Sequence, residues 1–228
     1  MTTPQQKLAQ TIAVLQQAAD DFSPVSFANS LGAEDMVLTD LIAKHQPSIG
    51  MFSLDTGRLP QETYDLMQEV RARYSVPLKI YFPDAAQVEA LVARIGVNGF
   101  YDSVENRKAC CHVRKVEPLK RALQGKQAWI TGMRHDQAVT RGSLQVSSFD
   151  AENGLQKINP LLDWTNAEIW EYLRQNDVPY NKLHDRFYPS IGCAPCTRPV
   201  TPGEDIRSGR WWWEQPENKE CGLHVGKA

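Results

Sequence analysis

The chain has 228 residues, with 25 Lys and Arg against 27 Asp and Glu and a formal net charge of −2. That length suits one ordinary α/β domain with a sizeable core, and the balanced charge gives no electrostatic case for binding nucleic acid or a membrane surface. No apolar run approaches the roughly 18 residues that a membrane span requires. The polar, amphipathic start MTTPQQKLAQTIAVLQQ does not read as a signal peptide. The expectation is a cytoplasmic protein, where cysteines serve metals or catalysis more often than disulfides.

Leu8, Ile12 and Leu15 share one helical face, which predicts a first helix over 7–18. Residues 24–28 (PVSFA) read as a short buried strand, followed by a turn over 29–32 and a helix opening at Glu34-Asp35. A second strand is expected over 49–54, then a polar turn and a helix over about 60–74. Pro60 suits the first turn of that helix, where its missing N–H costs little. A third strand over 78–82 leads to a helix over 85–95. Residues 107–123 are helical in pattern, with Pro118 as a kink or break. Another strand is expected over 128–131. Segments 144–149 and 155–158 flank the turn Asp150 to Gly154, which predicts a hairpin at a sheet edge. Thr165-Asn166-Ala167-Glu168 is a capping box opening a helix that carries Ile169, Trp170 and Leu173.

Strands alternating with helices predict an α/β fold, a doubly wound, mostly parallel sheet with helices on both faces. Ligands of such sheets bind beyond the carboxyl ends of the strands. Regular patterning fades from about Pro189. The expected division is a domain over 1–200 and a tail over 201–228.

Three strand ends carry anion-competent turns. Ser30, Gly32, Glu34 and Asp35 lie in a Gly-containing strand-to-helix turn whose backbone N–H groups can face a phosphate or sulfate. The turn lacks the Gly-Lys-Ser/Thr ending of a Walker A loop. Its plain alternative is a structural turn with two acids placed favourably at a helix N-terminus. After the second strand, Leu54 and Gly57 offer a seat for a flat adenine or ribose, and Arg58 offers a charge for an anion. Arg134, with Arg141 close behind, follows the strand at 128–131, and guanidinium groups pair bidentately with oxyanions. Bland solvated loops are the competing reading for both. Right-handed connections put all three turns on one sheet edge.

The five cysteines divide four plus one. Cys110 and Cys111 are adjacent in a predicted helix, and Cys193 and Cys196 form a C-x-x-C in a Gly/Pro loop. Four thiolates can hold zinc or an iron–sulfur cluster, or remain as buried or redox thiols. A tandem pair is cramped for a single ion and easier for a cubane with separate irons. Cys221 stands apart in Glu-Cys-Gly-Leu-His, beside a flexible Gly and three residues from His224, which suggests an accessible, activatable thiol. A stray surface cysteine is the alternative. Trp211-Trp212-Trp213 reads chiefly as aromatic packing, with docking of the tail or a partner as the other use.

The set Cys-Cys-x-x-Arg-Lys at 110–115, Cys-x-x-Cys at 193–196 and Glu-Cys-Gly-Leu-His at 220–224 resembles the assimilatory adenylyl-sulfate reductases. Ser-Leu-Gly-Ala-Glu-Asp, Leu-Asp-Thr-Gly-Arg-Leu and Thr-Gly-x-Arg fall in that family's order, so the resemblance spans roughly 25–225. It implies an adenine nucleotide alpha-hydrolase-like fold with a C-terminal catalytic tail. It also implies thioredoxin-dependent reduction of adenosine 5′-phosphosulfate to sulfite and AMP, in cysteine synthesis. Carried over, Cys110, Cys111, Cys193 and Cys196 hold a [4Fe–4S] cluster, and Lys115 links its surroundings to the substrate. Cys221 attacks the sulfate sulfur to give an S-sulfocysteine, which thioredoxin clears. Arg134, Arg141, Arg207, Arg210 and Lys115 neutralise substrate charge, and His224 orients substrate or steadies the thiolate. A homo-oligomer is a further family expectation. Relatives acting on the 3′-phosphorylated nucleotide typically lack the four cluster cysteines, so their presence favours the unphosphorylated substrate. A PP-loop ATP pyrophosphatase is the competing enzyme class, but its Ser-Gly-Gly-x-Asp-Ser loop is missing at Ser30 to Asp35. A zinc-stabilised binding module is the non-catalytic competitor.

Overall fold

A computed structural model of the chain describes residues 3–137 and 144–215. Helix α1 (Pro4–Asp21) leads into β1 (Val25–Ala28), α2 (Ala33–His45), β2 (Gly50–Leu54), α3 (Gln61–Arg73), β3 (Leu78–Tyr81) and α4 (Ala85–Ile95). Helices α5 (Val104–Cys111) and α6 (Glu117–Leu123) follow, then β4 (Ala128–Ile130), β5 (Ser147–Asp150), β6 (Leu155–Ile158) and α7 (Asn166–Gln175). The strands form one six-stranded sheet in the order β3-β2-β1-β4-β6-β5. Strand β1 runs parallel to β2 and β4, and β4 runs parallel to β6. Edge strand β5 is antiparallel to β6, with Ser148 opposite Lys157. The α/β class, the mostly parallel sheet and the edge hairpin are as the sequence predicts. Central strands β1 and β4 are buried along nearly their whole length. Apolar residues therefore fill β4 without alternation, and in β1 only the buried Ser26 interrupts them.

The chain forms two compact units, one of residues 1–53, 65–79 and 125–181, the other of 54–64, 80–124 and 182–228. In the first, Leu15, Phe27, Met36, Leu38, Ile42 and Trp129 are core residues at 1% exposure or less, and α1 and α7 pack against α2. Asp40, buried in that unit, accepts from Tyr172 Oη at 2.7 Å, Tyr74 Oη at 3.2 Å and Lys44 Nζ at 2.7 Å. Three donors satisfy a carboxylate that would otherwise be costly to bury. The capping box at Thr165 forms as predicted, with Thr165 Oγ1 accepting from the Glu168 N–H and the Glu168 carboxylate reaching back to the Thr165 N–H.

The second unit departs from the pattern in the helical stretch around the tandem cysteines. The single helix expected over 107–123 is α5 and α6 joined by a π-helical turn, His112–Val116. Pro118 then falls in the first turn of α6, so the irregularity precedes it. A proline ring collides with the carbonyl four residues back in α geometry, and the wider turn relieves that collision. Ser103 caps α5, accepting from the Asn106 N–H at 3.1 Å, so this helix starts three residues before the expected 107. The hairpin's first strand starts at Ser147, three residues after the expected 144. No helix among the described residues is long and apolar enough to cross a membrane.

Candidate functional site

In the first unit, the turn after β1 is shaped by its own side chains. Leu31 adopts φ +61°, and Asn29 Oδ1 accepts from its N–H at 2.7 Å. Asp35, in the first turn of α2, reaches back so that its Oδ2 accepts from the Ser30 N–H at 2.6 Å. Burial pushes the Asp35 carboxyl up to about 7, against the hydrogen bonds from Ser30 and Gly132 and helped by the neighbouring Glu34 charge. The turn after β4 presses on this carboxylate, for a Cβ added at Gly132 would lie 2.2 Å from Asp35 Oδ1. Only glycine permits that approach.

Arg134 is 1% exposed. It donates to Glu34 Oε1 from Nε at 3.2 Å and Nη2 at 2.6 Å, and to the Trp164 carbonyl from Nη1 at 3.0 Å. Burial opposes the Glu34 charge, but Arg134 outweighs it and holds that carboxyl below its ordinary value. Ser30, Gly32, Glu34, Asp35 and Arg134 thus come together at the ends of β1 and β4. Within this group Arg134 acts as a post for the turn, its guanidinium turned to Glu34. Arg141 lies outside the described residues.

Leu54, Gly57 and Arg58 belong to the second unit. Gly57 has φ +70° and lies against Arg114, whose Nη1 donates to the Thr56 carbonyl at 2.7 Å. Thr56 Oγ1 sits 3.2 Å from Cys193 Sγ, and Arg58 accepts through its carbonyl from the Ala194 N–H at 2.8 Å. The segment read as an adenine seat therefore also braces the C-x-x-C loop. The Arg58 guanidinium donates to the Val97 carbonyl at 2.8 Å and stacks 4.9 Å from the Phe100 ring centre.

Cys110, Cys111, Cys193 and Cys196 all line one cavity of this unit. Arg58, Arg107, Arg114 and Lys115 line it too. Spacing explains three of these cations, Arg107, Arg114 and Lys115, since each lies three or four residues from Cys110 or Cys111 along the chain. Cys193 is buried and the other three are half-buried. Burial, then the charge of Cys193 and Cys111, pushes the Cys196 thiol up to about 12, with Lys115 and Arg210 pulling the other way. Burial likewise raises Cys110, against Arg114. Thiols that oppose one another's ionisation become stable thiolates once a metal centre takes their charge.

Among the described residues, no three His, Cys, Asp or Glu side chains converge as ligands of one metal ion would. Arg114, whose Nε is a buried donor without a hydrogen-bond partner among the described residues, lines the same cavity. Four thiols lining one cavity can hold either a zinc ion or an iron–sulfur cluster.

Arg210 is 8% exposed and donates to the Ile191 carbonyl at 3.1 Å. Its guanidinium fills the space where Gly192 lacks a side chain, 2.3 Å from an added Cβ. Arg207 is half-buried, its N–H donating to Asp205 Oδ1 at 2.8 Å. Of the tryptophans, Trp211 is 1% exposed and Trp212 47%, while Trp213 packs at 4.4 Å on Tyr101. Cys221 and His224 lie outside the described residues. Sequence reasoning missed Thr56, Arg107 and Arg114. Arg107 and Arg114 carried a signal in their helical spacing to the tandem cysteines; Thr56 carried none.

The sequence matches the family model "Phosphoadenosine phosphosulfate reductase domain" over residues 24–199. It is 55% identical over 216 residues to an adenosine 5′-phosphosulfate reductase of Allochromatium vinosum, covering 95% of this chain and 84% of that one. It is 52% identical over 219 residues to the enzyme of that name from Burkholderia cepacia, covering 96% and 88%. Among solved structures, a phosphoadenylyl-sulfate reductase from Candida auris in a phosphate complex superposes with a TM-score of 0.73 at 32% identity, covering 83% of this chain and 90% of that one.

Proposed function

Since the chain belongs to the phosphoadenosine phosphosulfate reductase family, we propose that it reduces adenosine 5′-phosphosulfate to sulfite and AMP through Cys221, with thioredoxin as reductant. It is an oxidoreductase, and relatives sharing about half its residues carry that reductase name. The observation that carries the fuller reading is the cavity on which four cysteines and four cations meet. Cys110, Cys111, Cys193 and Cys196 would hold a [4Fe–4S] cluster there. With a cysteine for each iron it offers substrate no open position, so when bound it supplies electrostatic and structural support. Arg58, Arg114 and Lys115 would balance the thiolate charge there.

The chain's own chemistry begins at Cys221. Its thiolate attacks the sulfate sulfur, a sulfur–sulfur bond forms, and the sulfur–oxygen bond to the phosphate breaks. AMP leaves with that electron pair, and Cys221 becomes S-sulfocysteine. A thioredoxin thiolate then attacks Cys221 Sγ, sulfite leaves with the sulfur–sulfur pair, and the second thioredoxin thiol resolves the mixed disulfide. Thioredoxin's dithiol supplies the two electrons. The sulfate oxygens shield sulfur with negative charge, and Lys115, Arg141, Arg207 and Arg210 are the cations assigned to offset it. The Ser30–Asp35 turn serves the oxyanion through the N-terminus of α2, because the Asp35, Asn29 and Ser30 side chains take the Ser30, Leu31 and Gly32 N–H groups, with Arg134 as its post. Leu54, Gly57 and Arg58 remain the nucleotide contacts, and His224 steadies the Cys221 thiolate. The same reading makes the working form a cytoplasmic homo-oligomer.

The decisive experiment mixes protein and adenosine 5′-phosphosulfate without thioredoxin and reads Cys221 by mass spectrometry. A sulfonate adduct is expected; its absence under conditions that support turnover sinks the mechanism. Anaerobically purified protein should be brown, with about four irons per chain, and a colourless zinc protein would end the cluster assignment. The likeness to a phosphoadenylyl-sulfate reductase keeps a second substrate in view. Turnover of the nucleotide with and without a 3′-phosphate separates the two.

A further inference from the structure

The buried ion pair between Arg107 and Glu214 has no part in the chemistry above. Arg107 Nε donates to Glu214 Oε1 at 2.9 Å and Nη2 to Oε2 at 2.7 Å, a fork-on-fork pair with side chains 1% and 3% exposed. Arg107 precedes Cys110 and Cys111 by three and four residues on α5 and lines the same cavity. Trp211, three residues before Glu214, holds φ +41°, a left-handed conformation that bulky residues avoid. Two guanidinium groups stack on its indole, Arg107 at 4.9 Å and Arg210 at 4.8 Å from the ring centre. Its N–H donates to the Cys196 carbonyl at 3.1 Å, and its carbonyl accepts from the Glu214 N–H at 2.8 Å. Residues 211–214 are thus tied to both halves of the cysteine site, to α5 through Arg107 and to the C-x-x-C loop through Cys196.

Stability alone does not call for this arrangement. A buried pair brings a desolvation cost that well-packed apolar residues avoid, and what it adds is direction and register. A strained backbone likewise persists only where its surroundings over-determine it. Seven peptide steps separate Glu214 from Cys221, and a fully extended chain of that length spans at most about 25 Å. We propose that Arg107 and Glu214 are positioning residues, a latch that fixes the root of the C-terminal segment on the cysteine-bearing helix and so sets where Cys221 can reach. The inference rests on the reading of Cys221 as nucleophile.

The test is Glu214→Gln, nearly isosteric, in the full-length iron-loaded protein. Iron content and the dissociation constant for AMP should match the parent. Amide hydrogen exchange over 211–214 should quicken tenfold or more, and single-turnover sulfonation of Cys221 at saturating nucleotide should slow tenfold or more. Should that variant fail to fold, Glu214→Asp keeps the charge with a shorter arm and should slow sulfonation several-fold. Unchanged exchange overturns the latch, and faster exchange with unchanged sulfonation overturns its bearing on reach. Iron loss in parallel marks the pair as support for the cysteine site and overturns a positioning role. A parent protein that forms no adduct under turnover conditions overturns the nucleophile reading, and the proposal with it.

Discussion

Gly132→Ala isolates the contact between the turns after β1 and β4. The added Cβ would lie 2.2 Å from Asp35 Oδ1 and 3.1 Å from Glu34 Cβ. Asp35 has little room to yield, being 6% exposed and held by the Ser30 N–H at 2.6 Å. Overpacking of this kind costs roughly 1–3 kcal/mol. Moving the carboxylate also breaks a buried hydrogen bond, about 1–3 kcal/mol more. A mid-range total of about 4 kcal/mol, at roughly 2–4 °C per kcal/mol for a chain this long, lowers Tm by about 8–16 °C. Gly50→Ala is the control, because its Cβ would meet Ser26 Oγ at an ordinary 3.6 Å. Thermal unfolding followed by circular dichroism reads both variants, and AMP titration should show weaker binding for Gly132→Ala alone. A Gly132→Ala protein that melts with the parent and binds AMP equally would refute the locked-carboxylate argument.

Asp35 also makes stability depend on pH. Its folded value of about 7 lies above the ordinary 3.8, so between these values the folded chain binds more protons than the unfolded one. This contribution is therefore largest below about pH 4 and is lost as pH rises through 7. At roughly 1.4 kcal/mol per pH unit, it falls by about 2–3 kcal/mol between pH 5 and 7. Asp35→Asn should remove that slope in urea unfolding measured across the range, and parallel pH profiles for variant and parent would contradict it. Gly192→Ala should displace the Arg210 guanidinium, which an added Cβ would approach to 2.3 Å while Ser190 and Ile191 pin it. Loss of the stack on Trp211 should red-shift tryptophan emission and lower Tm by several degrees; emission and melting like the parent's would show that Arg210 moves aside freely.

Much of the fold was legible because its signals are local. Short apolar runs bounded by turns mark the strands, Thr165 and Glu168 sit three residues apart as a capping box, and β5 and β6 are joined by a short turn. The π-helical turn before Pro118 escaped because its wider spacing appears only once the backbone is built. The cysteine division into four and one was also legible, since thiol chemistry and C-x-x-C spacing belong to residue type and short range.

Tertiary structure decided how the charged groups are used. Arg134 reads as an anion binder until Glu34, 100 residues away in sequence, takes its guanidinium. Thr56 reads as part of a loop until Cys193, 137 residues on, comes within 3.2 Å of its hydroxyl. Glu214 meets its ion-pair partner, Arg107, only in the fold, across 107 residues of sequence. The sequence by itself determined which elements form and which side chains carry the chemistry, because propensity and reactivity are properties of the residue and its near neighbours. Which cation meets which anion depends on desolvation and distance across the folded chain, and those exist only in the tertiary structure.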